Sequence, residues 1–195
     1  PYFDTRLRQG PAYRGKKDRF SAGDNAGADV IGSWKYLDVF FGSEPRNWGP
    51  PEVEGLTLST NPYPYDHLFL RLGPRRLRLE LLTTQLDNLP TWDTDELRPR
   101  FLSAHRLVVQ PSDRLAFSLT ESVVYASTLG PNRSFEPWFL NAANSWLLEN
   151  TNYEQGSNAL LAADISYRLG SSLRLAGQFY ADDIQVDSRT QGDKE

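Results

Sequence analysis

Between Arg76 and Leu81 the chain alternates without a break: Leu77, Leu79 and Leu81 fall on one side of an extended backbone, and Arg76, Arg78 and Glu80 on the other. The same period of two runs from Ala159 to Arg168, where Ala159, Leu161, Ala163, Ile165 and Tyr167 oppose Leu160, Ala162, Asp164, Ser166 and Arg168. It returns from Leu173, where Leu173, Leu175, Gly177, Phe179 and Ala181 oppose Arg174, Ala176, Gln178, Tyr180 and Asp182. Leu169-Gly170-Ser171-Ser172 joins these last two runs into a hairpin. Extended to the rest of the chain, the pattern predicts strands at Trp34 to Phe41, His67 to Leu72, Arg76 to Gln85, Arg100 to Val109, Arg114 to Tyr125, Ala159 to Arg168 and Leu173 to Ile184. Residues 1–28 read as irregular chain or an edge strand, with Tyr2 to Arg8 as the candidate segment.

The connections alternate in length. Gly73-Pro74-Arg75, Gln110-Pro111-Ser112-Asp113 and Leu169-Gly170-Ser171-Ser172 are tight turns, built from residues that tolerate a reversing backbone. Gly42 to Asp66, Asp87 to Arg98 and Ala126 to Asn158 are long and rich in Pro, Asn, Trp and Tyr, and they fall at the opposite end. Within the last of these, Glu136 to Glu149 carries apolar residues near helical spacing after Pro137 and predicts a short helix folded over or into the mouth. Short turns at one end and long loops at the other describe an all-β fold: an antiparallel up-and-down transmembrane β-barrel segment with long extracellular loops. A soluble sandwich mixes loop lengths at both ends. The inward candidates Arg76, Arg78, Glu80, Asp164, Arg168, Arg174 and Asp182 suggest a wet interior wider than an eight-stranded barrel provides, so residues 1–195 read as one partial barrel domain.

Two places resist the pattern. Glu121 falls among Leu115, Phe117, Leu119, Val123 and Tyr125, so either a bulge at Thr120 turns it inward or it sits at the rim. In Arg100 to Val109, His105 and Arg106 are adjacent and neither face is cleanly apolar, which leaves the register open. His105, Arg106 and Glu121 lie on neighbouring strands and form a candidate internal charge network, either bracing the interior or lining a ligand or ion path.

Composition narrows the classes. No run reaches the roughly 18 to 20 consecutive apolar residues of a membrane-spanning helix, whereas barrel strands escape hydropathy averages, so the negative mean hydropathy is no objection. A net charge of -4 and a pI near 5.3 argue against a broad nucleic-acid surface, and the local run Lys16, Lys17, Arg19 reads as a solvated loop. The chain has no cysteine, which suits an outer-membrane protein and many others. It also has no methionine and opens Pro1-Tyr2-Phe3, which reads as a processed or truncated piece.

Aromatic residues make up 12% of the chain and crowd strand ends and long loops, where an interfacial girdle accounts for many of them. Trp48, Trp138 and Trp146 lie deep in loops, where a ring either packs a loop core or offers a flat face to a sugar. Catalytic signals are weak. Asp182 and Asp183 point to opposite faces of a strand, Asp93, Asp95 and Glu96 read as turn residues, and no nucleophile elbow or phosphate-binding glycine loop occurs. His67 and His105 lack ligand neighbours at metal-site spacing, so no metal and no cofactor is expected.

Arg46-Asn47-Trp48-Gly49-Pro50, then Gly55-Leu56-Thr57-Leu58-Ser59 and Pro64-Tyr65-Asp66-His67-Leu68, resemble the Wzi-type capsule assembly family of outer-membrane proteins. Ala104-His105-Arg106-Leu107, Glu121-Ser122-Val123-Val124-Tyr125 and Phe139-Leu140-Asn141 follow in the same order, so the resemblance spans roughly Phe40 to Asp183. It implies a large barrel with a blocked interior in the bacterial outer membrane, helping to assemble or attach capsular or other surface polysaccharide without enzymatic turnover. On that reading Arg46, Trp48, Trp138, Asn141 and Trp146 are the candidate glycan-binding residues. The implied partners are the polysaccharide, outer-membrane lipid and polysaccharide export machinery, with no nucleic acid. The alternatives are a porin-like channel or transporter with selective inward charges and, last, a soluble carbohydrate-active enzyme on a sandwich core.

Overall fold

The computed structural model describes residues 29–51, 53–60, 65–91, 94–126, 137–145 and 157–182, with the backbone alone for 87–91, 94–98, 126, 137, 138 and 157. Within them eight strands form one antiparallel sheet in chain order: β1 (Asp29–Ser33), β2 (Leu37–Glu44), β3 (Tyr65–Leu72), β4 (Leu77–Thr91), β5 (Thr94–Ser112), β6 (Leu115–Ala126), β7 (Ser157–Leu169) and β8 (Leu173–Asp182). Each strand pairs with its sequence neighbour, an all-β up-and-down arrangement.

Tight turns link β1 to β2, β3 to β4, β5 to β6 and β7 to β8, all at one end. Trp34 N donates to Leu37 O at 2.8 Å, and this turn starts β2 at Leu37, three residues later than the expected Trp34. The chain before it, at Asp29–Ser33, forms a strand that alternation over Val30, Ile31 and Gly32 does not announce. Gly73 has φ of 103°, and a side chain there would put a Cβ 2.5 Å from Leu77 O, so this turn requires glycine.

Two expected loops differ. Asp87 to Arg98 is largely strand: β4 and β5 keep pairing through Leu89 with Arg98, Pro90 with Leu97 and Thr91 with Thr94. A register shift between Leu86 and Leu89 absorbs Asp87 and Asn88, the turn formers that read as a break. In the β6–β7 connection the described part of the expected helix is a single 310 turn, Pro137–Leu140, closed by a further turn in which Asn144 N donates to Asn141 O at 3.2 Å. Tyr2 to Arg8, the basic run at Lys16, Asp93, Trp146 and Asp183 lie outside the described residues.

The register fixes the two faces. One row across the sheet reads Phe40, Phe69, Leu82, Ala104, Ser122, Leu160 and Asp182; the next reads Asp38, Arg71, Glu80, Arg106, Thr120, Ala162 and Tyr180. We term this the polar face. The opposite, apolar face carries rows such as Leu79, Leu107, Leu119, Ala163 and Phe179, in agreement with the alternation of the sequence. Its lower part, toward the tight turns, is bare: Leu119 is 52% exposed, and Leu77, Leu107, Phe117, Ile165, Leu173, Leu175 and Phe179 are likewise exposed. Trp34 and Tyr36 stand exposed at that same end.

Packing is therefore split between two small cores, each made by a connection folded over the sheet. On the polar face Trp48 and Leu58 of the β2–β3 connection bury against Phe40, Phe69, Leu82 and Ala104. On the apolar face Phe139 packs on Phe101, Val123 and Tyr125, with its ring stacked on Tyr125 at 4.2 Å. Leu140 lies beside Leu68, Leu70 and Leu81.

Candidate functional site

The β2–β3 connection is ordered by its own residues. Trp48 N donates to Leu58 O at 2.9 Å, Asn47 Nδ2 to Val53 O at 2.9 Å, and Gly55 N to Asn47 Oδ1 at 2.7 Å. A Cβ at Gly55 would fall 2.3 Å from Leu58 O and 2.6 Å from Trp48 C, so the two strands of this loop approach only because residue 55 lacks a side chain. Arg46-Asn47-Trp48-Gly49 and Gly55-Leu56-Thr57-Leu58, separate in sequence, thus close on each other. The loop then crosses the polar face. Leu56 N donates to Gln178 Oε1 and Gln178 Nε2 donates to Glu54 O, both at 2.9 Å, which ties it to β8.

Arg46 is held from several sides. Its guanidinium lies 3.8 Å from the Phe69 ring centroid and 4.7 Å from that of Phe40, pairs with Glu44, and donates through Nε to His67 Nε2. Accepting there, His67 carries its proton on Nδ1, which donates to Tyr65 O at 2.8 Å. Burial lowers the Arg46 pKa, with Glu44 opposing.

Below the loop, toward the tight turns, lies a cavity of about 570 Å³ bounded by the loop and the polar face. Its wall holds a ladder of charges. Arg71 meets Asp38 at 3.1 Å and Glu80 at 3.5 Å; Arg78 meets Glu80 at 2.9 Å; Arg106 meets Asp164 at 2.8 Å and donates to Ser118 Oγ at 2.9 Å. Ser118 also bonds Asp164. Glu80 and Arg106 are buried, and the pairing offsets the cost of removing their charges from water.

His105, Arg106 and Glu121 do not share one network. Adjacent strand residues face oppositely, so Arg106 joins the polar-face ladder while His105 and Glu121 sit on the apolar face as register partners. His105 Nε2 and Glu121 Oε2 are 2.8 Å apart. The pairing runs without a shift from Arg100 with Ala126 to Val109 with Phe117, so no bulge at Thr120 turns Glu121 inward, and Glu121 sits at mid-strand, not at the rim. The 137–145 segment covers it, with Ser145 Oγ donating to Glu121 Oε1 at 3.2 Å.

The candidate glycan residues separate likewise. Trp48 is 4% exposed, its ring part of the polar-face core and 6.0 Å from the Arg106 guanidinium. Asn141 is exposed, and its Oδ1 accepts from Ala143 N at 3.1 Å. Trp138 contributes backbone to the 310 turn, and Trp146 lies outside the described residues. The structure thus gathers Arg46 and Trp48 at the cavity roof and leaves Asn141 on the other face. Sequence reasoning missed Arg71 and Arg114 as parts of the cavity and Gln178 as the anchor of the loop; the alternation places Gln178 on the polar face, but nothing local says that a loop more than a hundred residues earlier reaches it. Comparison with known protein families, with curated proteins and with solved structures gave no match. No group of three His, Cys, Asp or Glu suited to a metal ion occurs among the described residues.

Proposed function

We propose that this sheet is part of an outer-membrane β-barrel whose interior is roofed by the β2–β3 loop, and that the protein serves, without catalysis, in the assembly or attachment of capsular or other surface polysaccharide. The observation that carries the membrane reading is the contrast between faces: a charged face over a cavity, and behind it a band of leucines and aromatics that no second layer of the described residues covers on its lower part. On β7 the apolar side runs from Ala159 to Leu169, ten steps of about 3.4 Å or roughly 24 Å at a tilt of about 45°, but its upper rows, level with Val123 and Glu121, lie under the 137–145 segment, so the bare part from Ala163 to Leu169 spans roughly 14 Å of the ~25 Å apolar band of such barrels. Trp34 and Tyr36 at the tight-turn end fit an interfacial position. The polysaccharide role rests on the ordered motifs, of which two meet in the loop.

The full-length protein is tested in a capsule-forming bacterium. We expect it in the outer-membrane fraction, and we expect its deletion to release polysaccharide from the cell surface into the medium. Recovery in the soluble fraction, or unchanged retention in the deletion strain, refutes the proposal. The cavity favours a second reading, a porin-like channel with selective arginines and carboxylates; steady conductance in planar bilayers favours it over a roofed interior.

A further inference from the structure

The entry of the β2–β3 loop is fastened to the sheet through an imidazole. Arg46, two residues before Trp48, donates through Nε to His67 Nε2, while Nδ1 of the same ring donates to Tyr65 O at 2.8 Å, so the ring that accepts from Arg46 is neutral. Protonated on both nitrogens, it would turn a donor toward the Arg46 donor and set two cations side by side. His67 is fixed: it is 2% exposed, tied through Nδ1 and stacked on Phe40 with centroids 4.9 Å apart. The groups around the ring, among the described residues, are Arg46 from the loop, Glu44 and Phe40 from β2, Thr84 as register partner on β4, and Tyr65 and Asp66 on its own strand. Of these, Glu44 and Asp66 favour a charged ring, but Glu44 is taken up by Arg46 and Asp66 falls on the opposite face. His67 shares its row with Thr84, Leu102, Val124 and Asn158, one residue beyond the apolar side of β7 and at the long-loop end of the sheet. Burial foremost, and Arg46 with it, push the imidazole below its ordinary value.

We infer that this contact is an acid-sensitive latch: protonation of His67 releases Arg46 and unseats the roof of the cavity. The loop is the part that yields, because His67 stands on a strand paired on both sides, whereas Arg46 belongs to the connection. Trp48, two residues on, is drawn with it from the core of Phe40 and Phe69. A folded value below the unfolded one means that the latch is complete above the free imidazole value of about 6.5 and weakens as pH falls from there through the folded value. One proton is bound, so the ratio of open to closed roof rises by at most about tenfold for each unit of pH.

The test is fluorine NMR of the full-length protein in detergent, labelled with fluorotryptophan and titrated from about pH 7.5 to about 4.5, a range that spans the ordinary imidazole value. The Trp48 signal is assigned by its loss in Trp48→Phe. We expect a buried Trp48 signal at neutral pH, replaced by a solvent-exposed one as pH falls and restored on return, while Trp34, already exposed at the tight-turn end, does not move. His67→Gln, whose amide oxygen accepts from Arg46 and does not titrate, is expected to keep the buried signal throughout. The nitrogen shifts of the His67 ring, followed in the unaltered protein, read the latch without relying on that variant: they are expected to start from the Nδ1–H tautomer and to titrate together with Trp48. No titration of His67 in this range, a Trp48 signal that stays buried while His67 titrates, the same change in His67→Gln, a steepness above one proton, or an Nε2–H tautomer at neutral pH overturns the inference. None of these outcomes depends on the polysaccharide role.

Discussion

Replacing Trp48 with alanine tests whether the loop over the polar face is held by one ring. Trp48 is 4% exposed and packs with Phe40, Leu58, Phe69, Leu82 and Ala104, so truncation removes the loop's one aromatic ring from the polar-face core. Burying an aromatic side chain of about 150 to 250 Å² at about 25 cal/mol per Å² is worth roughly 4 to 6 kcal/mol as an upper bound. Measured losses for Trp to Ala in cores are about 3 to 5 kcal/mol. The loop retains Asn47, Glu54 and Gln178 bonds, so we take the lower figure, about 3 kcal/mol, as the change in local opening, which corresponds to at least about a hundredfold. The assay is amide hydrogen exchange at Gly55, whose N–H donates to Asn47 Oδ1 within the loop, with Val123 on β6 as the internal reference. Gly55 protection is expected to fall about a hundredfold, or to the unprotected rate, while Val123 is unchanged. Protection at Gly55 unaltered within about threefold refutes the reasoning, because the loop would then be held by its own hydrogen bonds. A parallel fall at Val123 refutes it differently, by showing that the loop and sheet open together.

Leu119→Arg places a cation on the bare apolar band; facing lipid it costs about 2 to 4 kcal/mol and lowers the insertion yield into liposomes, whereas a water-facing site leaves yield and stability unchanged. His105→Leu removes the imidazole that meets Glu121 at 2.8 Å and is expected to lower stability in urea by about 3 to 5 kcal/mol, with part recovered in the His105→Leu/Glu121→Gln double variant. No recovery would show that Glu121 is stabilised mainly by other groups. The Glu54 carboxylate accepts from Thr60 N and Thr60 Oγ1, both at 2.6 Å, and these bonds lower its pKa from 4.5. A lowered folded pKa means that the contribution is complete above the unfolded value and is lost as pH falls through the folded one. The Thr60 amide signal is therefore expected to stay constant from about pH 7 to 5 and to titrate only below about 4.5, a titration absent in Glu54→Gln.

The legible parts of the fold were those with period two. Alternation at Leu77 to Leu81 and in the β7–β8 hairpin fixes both strand and face, because a slip of one residue would reverse every side chain. Glycine-bearing turns at Gly73 and Gly170 were legible for the same local reason: both adopt positive φ. What stayed hidden was non-local. Asp87, Asn88 and Pro90 are turn formers, yet pairing resumes across a bulge because β5 supplies a partner for each resumed residue. Glu121 looked misplaced on an apolar face because its cover, Ser145 and the 310 turn, arrives from more than fifteen residues downstream. At the candidate site, His105 and Glu121 were correctly placed on adjacent strands, but Arg106 belongs to the opposite face by the same alternation. Trp48 could be read as either packing or platform, and only the company of Phe40 and Phe69 decides for packing.

Gln178 has one further consequence. The shape of an eight-stranded sheet is ordinarily the running total of small twists at each strand junction, so error and motion accumulate from β2 to β8. The single amide of Gln178, held by Glu54 and Leu56, bridges β8 directly to the segment anchored on β2–β5 and bypasses the intervening junctions. It behaves as the tie of a truss: flexing of β6 and β7 is mechanically coupled to the seating of the roof, and tension on either is felt by the other.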